Sequence, residues 1–303
     1  MRNIFCNEVL KQCANDLKFI FITGDLGYKN LEPLQEVLGD RFINAGVAEQ
    51  NMISVAAALA KEGFRPWVYS IAPFCIARPF EQIRNDICLH NLPVVLIGNG
   101  GGFGYGVMGP THHAIEDYGV MLSLQNMHVS VPAFAKDISA VVGNAFKTNN
   151  PTYIRLGADE KPSNYSSPAY SSWRVVKEGS QNIVISIGAL TSKLIKESQE
   201  KFSHVPHKIW CLSELPLMDS NFPKELISDF QNAENVIVIE EHVAQGGVAS
   251  NIALYLLQEG INVNRFLTFN VKGYLSGLYG SQQFHRDENN LNLESVFQCL
   301  NLL

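Results

Sequence analysis

Short apolar runs alternate along this chain with stretches whose apolar positions recur every three to four residues. Phe19–Thr23, Trp67–Ile71, Pro93–Ile97 and Val129–Val131 have the β-branched and aromatic content of buried strands, whereas Gln50–Lys61 and Phe80–His90 carry a helical period. Strands separated by helices predict a parallel sheet, because parallel neighbours need a crossover connection. A polar stretch rich in Ser and Pro, Gly157 to Ser172, interrupts the rhythm and has the composition of a linker. The alternation then resumes, with Asn182–Ile187, Lys208–Leu212 and Val236–Glu240 as strands and Lys193–Phe202 and Val248–Glu259 as helices. The expected fold class is α/β, as two consecutive doubly wound α/β domains: residues 1–160, a linker over 161–177, and a smaller domain over 178–303. No internal repeat and no low-complexity tract is evident.

Composition narrows the function classes. With 46% apolar and 17% charged residues the chain is expected to fold, and no apolar run approaches the ~20 residues of a membrane-spanning helix. Lys and Arg number 23 against 29 Asp and Glu, a net charge of -6, which leaves no general basic surface for nucleic-acid phosphates. Neither nucleic acid nor membrane is an expected partner. Glu8 stands where a signal peptide needs an apolar core, so the expected compartment is the cytoplasm. Cysteines 6, 13, 75, 88, 211 and 299 are far apart with no C-x-x-C pair, and read as core thiols.

Three segments are candidates for chemistry. In Asn44-Ala-Gly-Val-Ala-Glu49-Gln-Asn-Met, a small-residue turn leads into an Ala-rich helix. Glu49 therefore falls in the first turn, where unpaired N–H groups favour a carboxylate, whether as a cap or as a functional acid. Gly104-Tyr-Gly-Val-Met-Gly109 matches G-x-G-x-x-G. Its context is wrong for a dinucleotide, since Pro110 and a His pair follow instead of a helix and Val129 stands where an acidic ribose ligand is expected. What remains is a long flexible loop ending at Thr111-His112-His113 ahead of a helix with Glu116 and Asp117. Adjacent histidines diverge and no third ligand is near, so no metal site is expected; a structural pair and acid/base or hydroxyl-binding work both stay open. In the third, Tyr69 to Asp86, an aromatic-rich turn opens a helix and reads locally as core packing.

Together these segments resemble the pyrimidine-binding domain of the transketolase family of thiamine diphosphate enzymes. Gly24-Asp25-Leu-Gly27, Ala45-Gly-Val-Ala-Glu-Gln50, Gln82-Ile-Arg-Asn-Asp86 and Gly109-Pro-Thr-His-His113 occur in family order, and Val236 to Ser250 is similar to that family's C-terminal domain. The resemblance implies thiamine diphosphate and Mg2+ as cofactors. It implies that Glu49 hydrogen-bonds N1′ of the aminopyrimidine and promotes its imino tautomer, and that an aromatic residue stacks on that ring, with Phe74 preferred over Tyr69 and Phe80. Asp25 is a further cofactor-side residue. His112 is expected beside the substrate hydroxyls, with His113 next to it, and Arg155 and Arg2 match phosphate-binding arginines.

Two departures qualify this. Transketolases commonly carry a histidine at the strand end and an acidic residue before G-P-T-H, where this chain has Gly100 and Met108. A thioether cannot accept from a sugar hydroxyl as a carboxylate does, so donor recognition must be achieved otherwise or be relaxed. The family's diphosphate-binding domain, with its G-D-G motif, has no counterpart in this sequence. The expected function is therefore the C-terminal subunit of a two-subunit transketolase, moving a two-carbon ketol unit from a ketose or ketose phosphate to an aldose. Its expected partner is an N-terminal subunit holding the diphosphate and most of the Mg2+ shell, in a two-plus-two heterotetramer. The alternatives are the beta subunit of a 2-oxo acid dehydrogenase's first component, which usually reads H-S-Q near this point, a deoxyxylulose-phosphate-synthase-like enzyme, and a non-catalytic regulatory relative.

Overall fold

In a computed structural model, described for residues 1–27, 30–217 and 222–303, the chain forms two sheets. In chain order the strands are β1 (Phe19–Thr23), β2 (Phe42–Asn44), β3 (Arg65–Ile71), β4 (Val95–Asn99), β5 (His128–Ser130) and β6 (Thr152–Leu156). They continue as β7 (Trp173–Lys177), β8 (Asn182–Ile187), β9 (His207–Leu212), β10 (Glu214–Leu215), β11 (Asn235–Val243) and β12 (Phe266–Val271). Among the described residues the first sheet has seven strands in the order β10-β5-β6-β4-β3-β1-β2, and the second five, in the order β12-β11-β8-β9-β7. Both are parallel except for β10 and β7, which pair antiparallel with β5 and β9.

The two-residue period of a strand sends alternate side chains to opposite faces, and here both faces are covered. Ile20, Ile22, Val68 and Leu96 meet Met52, Ile53, Ala56 and Ala60 of the helix Glu49–Lys61 on one side. Phe19, Phe21, Trp67, Tyr69 and Ile97 meet the helices Arg2–Cys13 and Ile138–Ala145 on the other. That is the doubly wound arrangement the alternation predicted. The second sheet repeats it, with Leu190–Glu200 and Leu293–Cys299 on one face and Lys224–Asn232 and Val248–Gln258 on the other.

Three expectations need correction. β7 lies within the stretch expected to be linker, because Trp173 and Val176 are buried in the second sheet. Phe80–His90 is not one regular helix: a short α turn, Phe80–Gln82, passes into a π turn over Ile83–Cys88. Five cysteines are buried but Cys299 is exposed. No helix among the described residues is long and apolar enough to cross a membrane.

The halves are joined by buried polar contacts centred on Glu241, at the C-terminal end of β11. Its Oε1 accepts from the Phe103 backbone N–H at 2.7 Å and from the Gln282 amide at 2.9 Å, while its Oε2 pairs with Arg286 at 2.8 Å. Arg286 also reaches Glu160 at 2.6 Å. Buried ionic groups persist only when paired in this way.

Candidate functional site

In a parallel sheet the loops after the strands collect at one edge, and ligands bind there where the chain reverses direction across the sheet. Here the reversal lies at β1, whose neighbours are β2 on one side and β3 on the other. The loops and first helical turns after β1, β2, β3 and β4 carry Asp25, Glu49, Phe74 and His112 respectively. The predicted segments, far apart in sequence, thus converge on one edge.

Glu49 is the first residue of its helix and is buried. Its Oε1 accepts from Nη1 of Arg78 at 2.8 Å, and the Arg78 guanidinium lies 3.8 Å from the centre of the Phe74 ring. The buried carboxylate is therefore paired with a cation. Phe74 also meets the His112 ring edge-on at 5.1 Å, and His112 lies 6.0 Å from the ring of Tyr105, whose oxygen accepts from the Asn99 amide at 2.8 Å. Glu49, Arg78, Phe74, His112, Tyr105 and Asn99 form a continuous arc along the sheet edge. Of these, sequence reasoning assigned roles to Glu49, Phe74 and His112 and gave none to the others. The signal for Arg78 was present, since a residue four positions after Phe74 lies on the same side of a helical turn.

The remaining candidates separate. Among the aromatics, Tyr69 points to the opposite face of the sheet, packs 6.1 Å from Phe21, and has its phenol pushed well up by burial, with the nearby charge of Arg2 partly opposing this. It is a core residue, as the two-residue period of β3 requires. Arg2 sits on that same face at the start of its helix. Phe80 is half-buried against the core beneath Glu49–Lys61. Asp25 is exposed, accepts from the Asn44 amide at 3.1 Å and ties the turn after β1 to the one leading into Glu49.

The two histidines diverge. Thr111 Oγ1 lies 2.9 Å from His112 Nδ1, leaving the ring half-buried in the arc. His113 is buried between Gly106 O at 2.9 Å from Nε2 and Tyr274 OH at 3.1 Å from Nδ1. A carbonyl only accepts, so Nε2 carries the proton and Tyr274 donates to Nδ1. Burial lowers the pKa of His113, and it stays neutral as part of the contact between the halves.

Arg155 is a correction. It was expected to face a phosphate, but its Nε lies 2.9 Å from Asp117 Oδ2, and its Nη2 donates to the carbonyls of Ala114 and Glu241 at 3.0 Å each. The pair is buried, and Nε and Nη2 of the guanidinium are directed at protein oxygens. The Gly-rich segment is also not a loose loop. Gly102 and Ala114 exchange backbone hydrogen bonds at 2.8 Å, and a Cβ on Gly101 would lie 2.2 Å from Arg155 Nε. The glycine there permits close approach to the buried arginine.

Comparison with known proteins shows what the chain is similar to. The family model described as transketolase, pyrimidine binding domain, matches residues 1–161. One subunit of the apulose-4-phosphate transketolase of Actinobacillus succinogenes is 25% identical over 303 residues, covering 98% of this chain and 96% of that protein. The 1-deoxy-D-xylulose-5-phosphate synthase of Carboxydothermus hydrogenoformans is 30% identical over 235 residues, 73% of this chain but only 36% of the synthase. Among solved structures, a split gene transketolase captured as an inactive beta4 tetramer superposes with a TM-score of 0.82 at 26% identity, covering 99% of this chain and 96% of the other. Transketolase from Leishmania mexicana shares the fold, with a TM-score of 0.78 at 17% identity over 98% of this chain and 44% of its own. The domain match extends over more than half of the sequence and contains the whole arc from Glu49 to His112, and on that ground the chain belongs to the transketolase family.

Proposed function

We propose that this chain is the pyrimidine-side subunit of a two-subunit, thiamine diphosphate-dependent transketolase that moves a two-carbon ketol unit from a ketose or ketose phosphate to an aldose. The observation that carries this reading is the convergence of Glu49, Phe74 and His112 on one sheet edge. The site suits an aminopyrimidine: the Arg78 guanidinium already lies between the Phe74 face and the Glu49 carboxylate, so a flat hydrogen-bonding group is accommodated there. When bound, thiamine diphosphate supplies the thiazolium carbon that attacks a ketone carbonyl. Glu49 would hold a proton at the ring nitrogen N1′ and Phe74 would cover the ring, in the place that the Arg78 guanidinium takes here. His112 hydrogen-bonds substrate oxygens.

The diphosphate and Mg2+ fall to a partner chain, in a two-plus-two heterotetramer in the cytoplasm. The similarity over nearly full length to one subunit of an apulose-4-phosphate transketolase and to a split gene transketolase supports a separate partner. So does a group of exposed apolar side chains, Val47, Val107, Met108, Leu278 and Tyr279, on the loop before Glu49, on the segment leading to His112 and on the loop packed against Gly109. A second reading, a synthase making a 1-deoxy sugar phosphate, is supported by Met108, which offers no carboxylate to a donor hydroxyl.

Glu49→Gln tests the proposal. In the assembled enzyme turnover falls by several orders of magnitude, because an amide cannot exchange a proton with the ring. The fold persists: the Glu49–Arg78 pair has a half-exposed arginine and contributes under about 1 kcal/mol. A loss below about tenfold, ~1.4 kcal/mol of barrier, overturns the assignment.

A further inference from the structure

β4 ends at Asn99, and the chain turns through Gly100, whose φ of 74° lies in the left-handed region. Backbone and space both exclude a side chain at this position, since a Cβ on Gly100 would lie 2.3 Å from Cε2 of Tyr105. The Tyr105 ring therefore fills the volume that a residue-100 side chain would occupy. Its oxygen accepts from the Asn99 amide at 2.8 Å, which fixes the hydroxyl over the strand end. The phenol's own proton has no acceptor among the described residues, and Tyr105 is half-buried, not sealed. Beside it lie His112, at 6.0 Å between ring centres, and beyond that Phe74. A hydroxyl oriented by an amide, with a free proton, at the ligand-binding edge of a parallel sheet, is a donor awaiting a ligand oxygen.

We infer that Tyr105 is a specificity-determining residue of this site, its phenol O–H donating to the hydroxyl oxygen that the donor carries next to its reacting carbonyl. Met108 is exposed and has only a thioether, so it cannot make this contact. Tyr105 takes over the recognition that the glycine at position 100 gives up. A site built to hydrogen-bond a hydroxyl rejects the analogue that lacks it, since its polar groups are then left unpaired. The inference rests on the ketol-transfer reading above.

The test compares hydroxypyruvate with pyruvate, which differ by one hydroxyl beside the carbonyl, as donors for the complete enzyme with partner, thiamine diphosphate and Mg2+. Tyr105→Phe removes one oxygen and keeps the ring that packs on Gly100. The wild-type enzyme prefers hydroxypyruvate, and in the variant the ratio of the two kcat/KM values falls roughly ten- to hundredfold, with the pyruvate value changed less than about threefold. Asn99→Ala moves the ratio in the same direction by less. A ratio unchanged in Tyr105→Phe, or an equal loss with both donors, overturns the inference while ketol transfer stands, whereas a wild-type preference for pyruvate removes both in favour of the synthase reading. A wild-type complex that uses neither donor nor any ketose removes the ketol-transfer reading, and this inference with it.

Discussion

Arg155→Ala separates an interior arginine from a phosphate-binding one. The substitution leaves Asp117, whose side chain is fully buried, facing Tyr153 without its cation, and strips the carbonyls of Ala114 and Glu241 of their donor. Breaking a buried pair from one side costs about 3–5 kcal/mol, because the remaining charge stays desolvated. The void beside Gly101, where the arginine stem packs, adds to this. Arg155→Lys keeps the charge but loses the planar fork and is expected to cost less, about 1–3 kcal/mol. Since Ala114 precedes the first sheet's helix Asp117–Leu122 and Glu241 belongs to β11, the variant also loosens the halves from one another. Urea unfolding followed by tryptophan fluorescence and far-UV circular dichroism is the assay. The expected result is a lowered midpoint and a separation of the two probes, with KM for a phosphorylated substrate unchanged in the folded fraction. An Arg155→Ala protein within about 1 kcal/mol of the parent, with KM for the phosphorylated substrate raised tenfold or more, would refute the buried-pair account.

Other outcomes follow from the same contacts. His112→Ala lowers ketol transfer more than cofactor affinity, because His112 is presented in the arc, whereas His113→Ala chiefly lowers the thermal midpoint, because His113 is held between Gly106 O and Tyr274; steady-state kinetics and melting curves on both variants check the split. Burial pushes the pKa of His207 down from 6.5 to about 4, with Lys177 adding to it, while Ser198 and the Val205 carbonyl hold the ring. The unfolded chain therefore binds the extra proton first, so up to roughly 3 kcal/mol of stability is lost as pH falls from about 6.5 to about 4, and chemical denaturation of His207→Gln shows a flatter slope across that window.

What the sequence disclosed and what it hid have physical causes. Phe19–Thr23 and Asn182–Ile187 were legible to the residue because a strand buried on both faces is a continuous apolar run. β2 and β10 are too short to show a period, and β10 joins the first sheet from a part of the chain beyond β9, a pairing that no local pattern encodes. Glu49 and His112 could be found because they sit in motifs. Tyr105 and Asn99 could not, since their meaning comes from which loops meet at the sheet edge, and Arg78 offered only its spacing from Phe74. Arg155 was misread for a related reason: an arginine at a strand end looks the same in sequence whether it faces solvent or a buried aspartate.

The central claim is that this chain supplies the pyrimidine side of a cofactor site completed by a second, different chain. Calorimetric titration of thiamine diphosphate with Mg2+ into the chain alone, and then into the chain mixed with a diphosphate-binding partner, tests it most directly. The account predicts weak or no binding and no turnover for the chain alone. Both appear on mixing, since cofactor and partner stabilise one another by linkage. Micromolar binding with turnover by the isolated chain would contradict it.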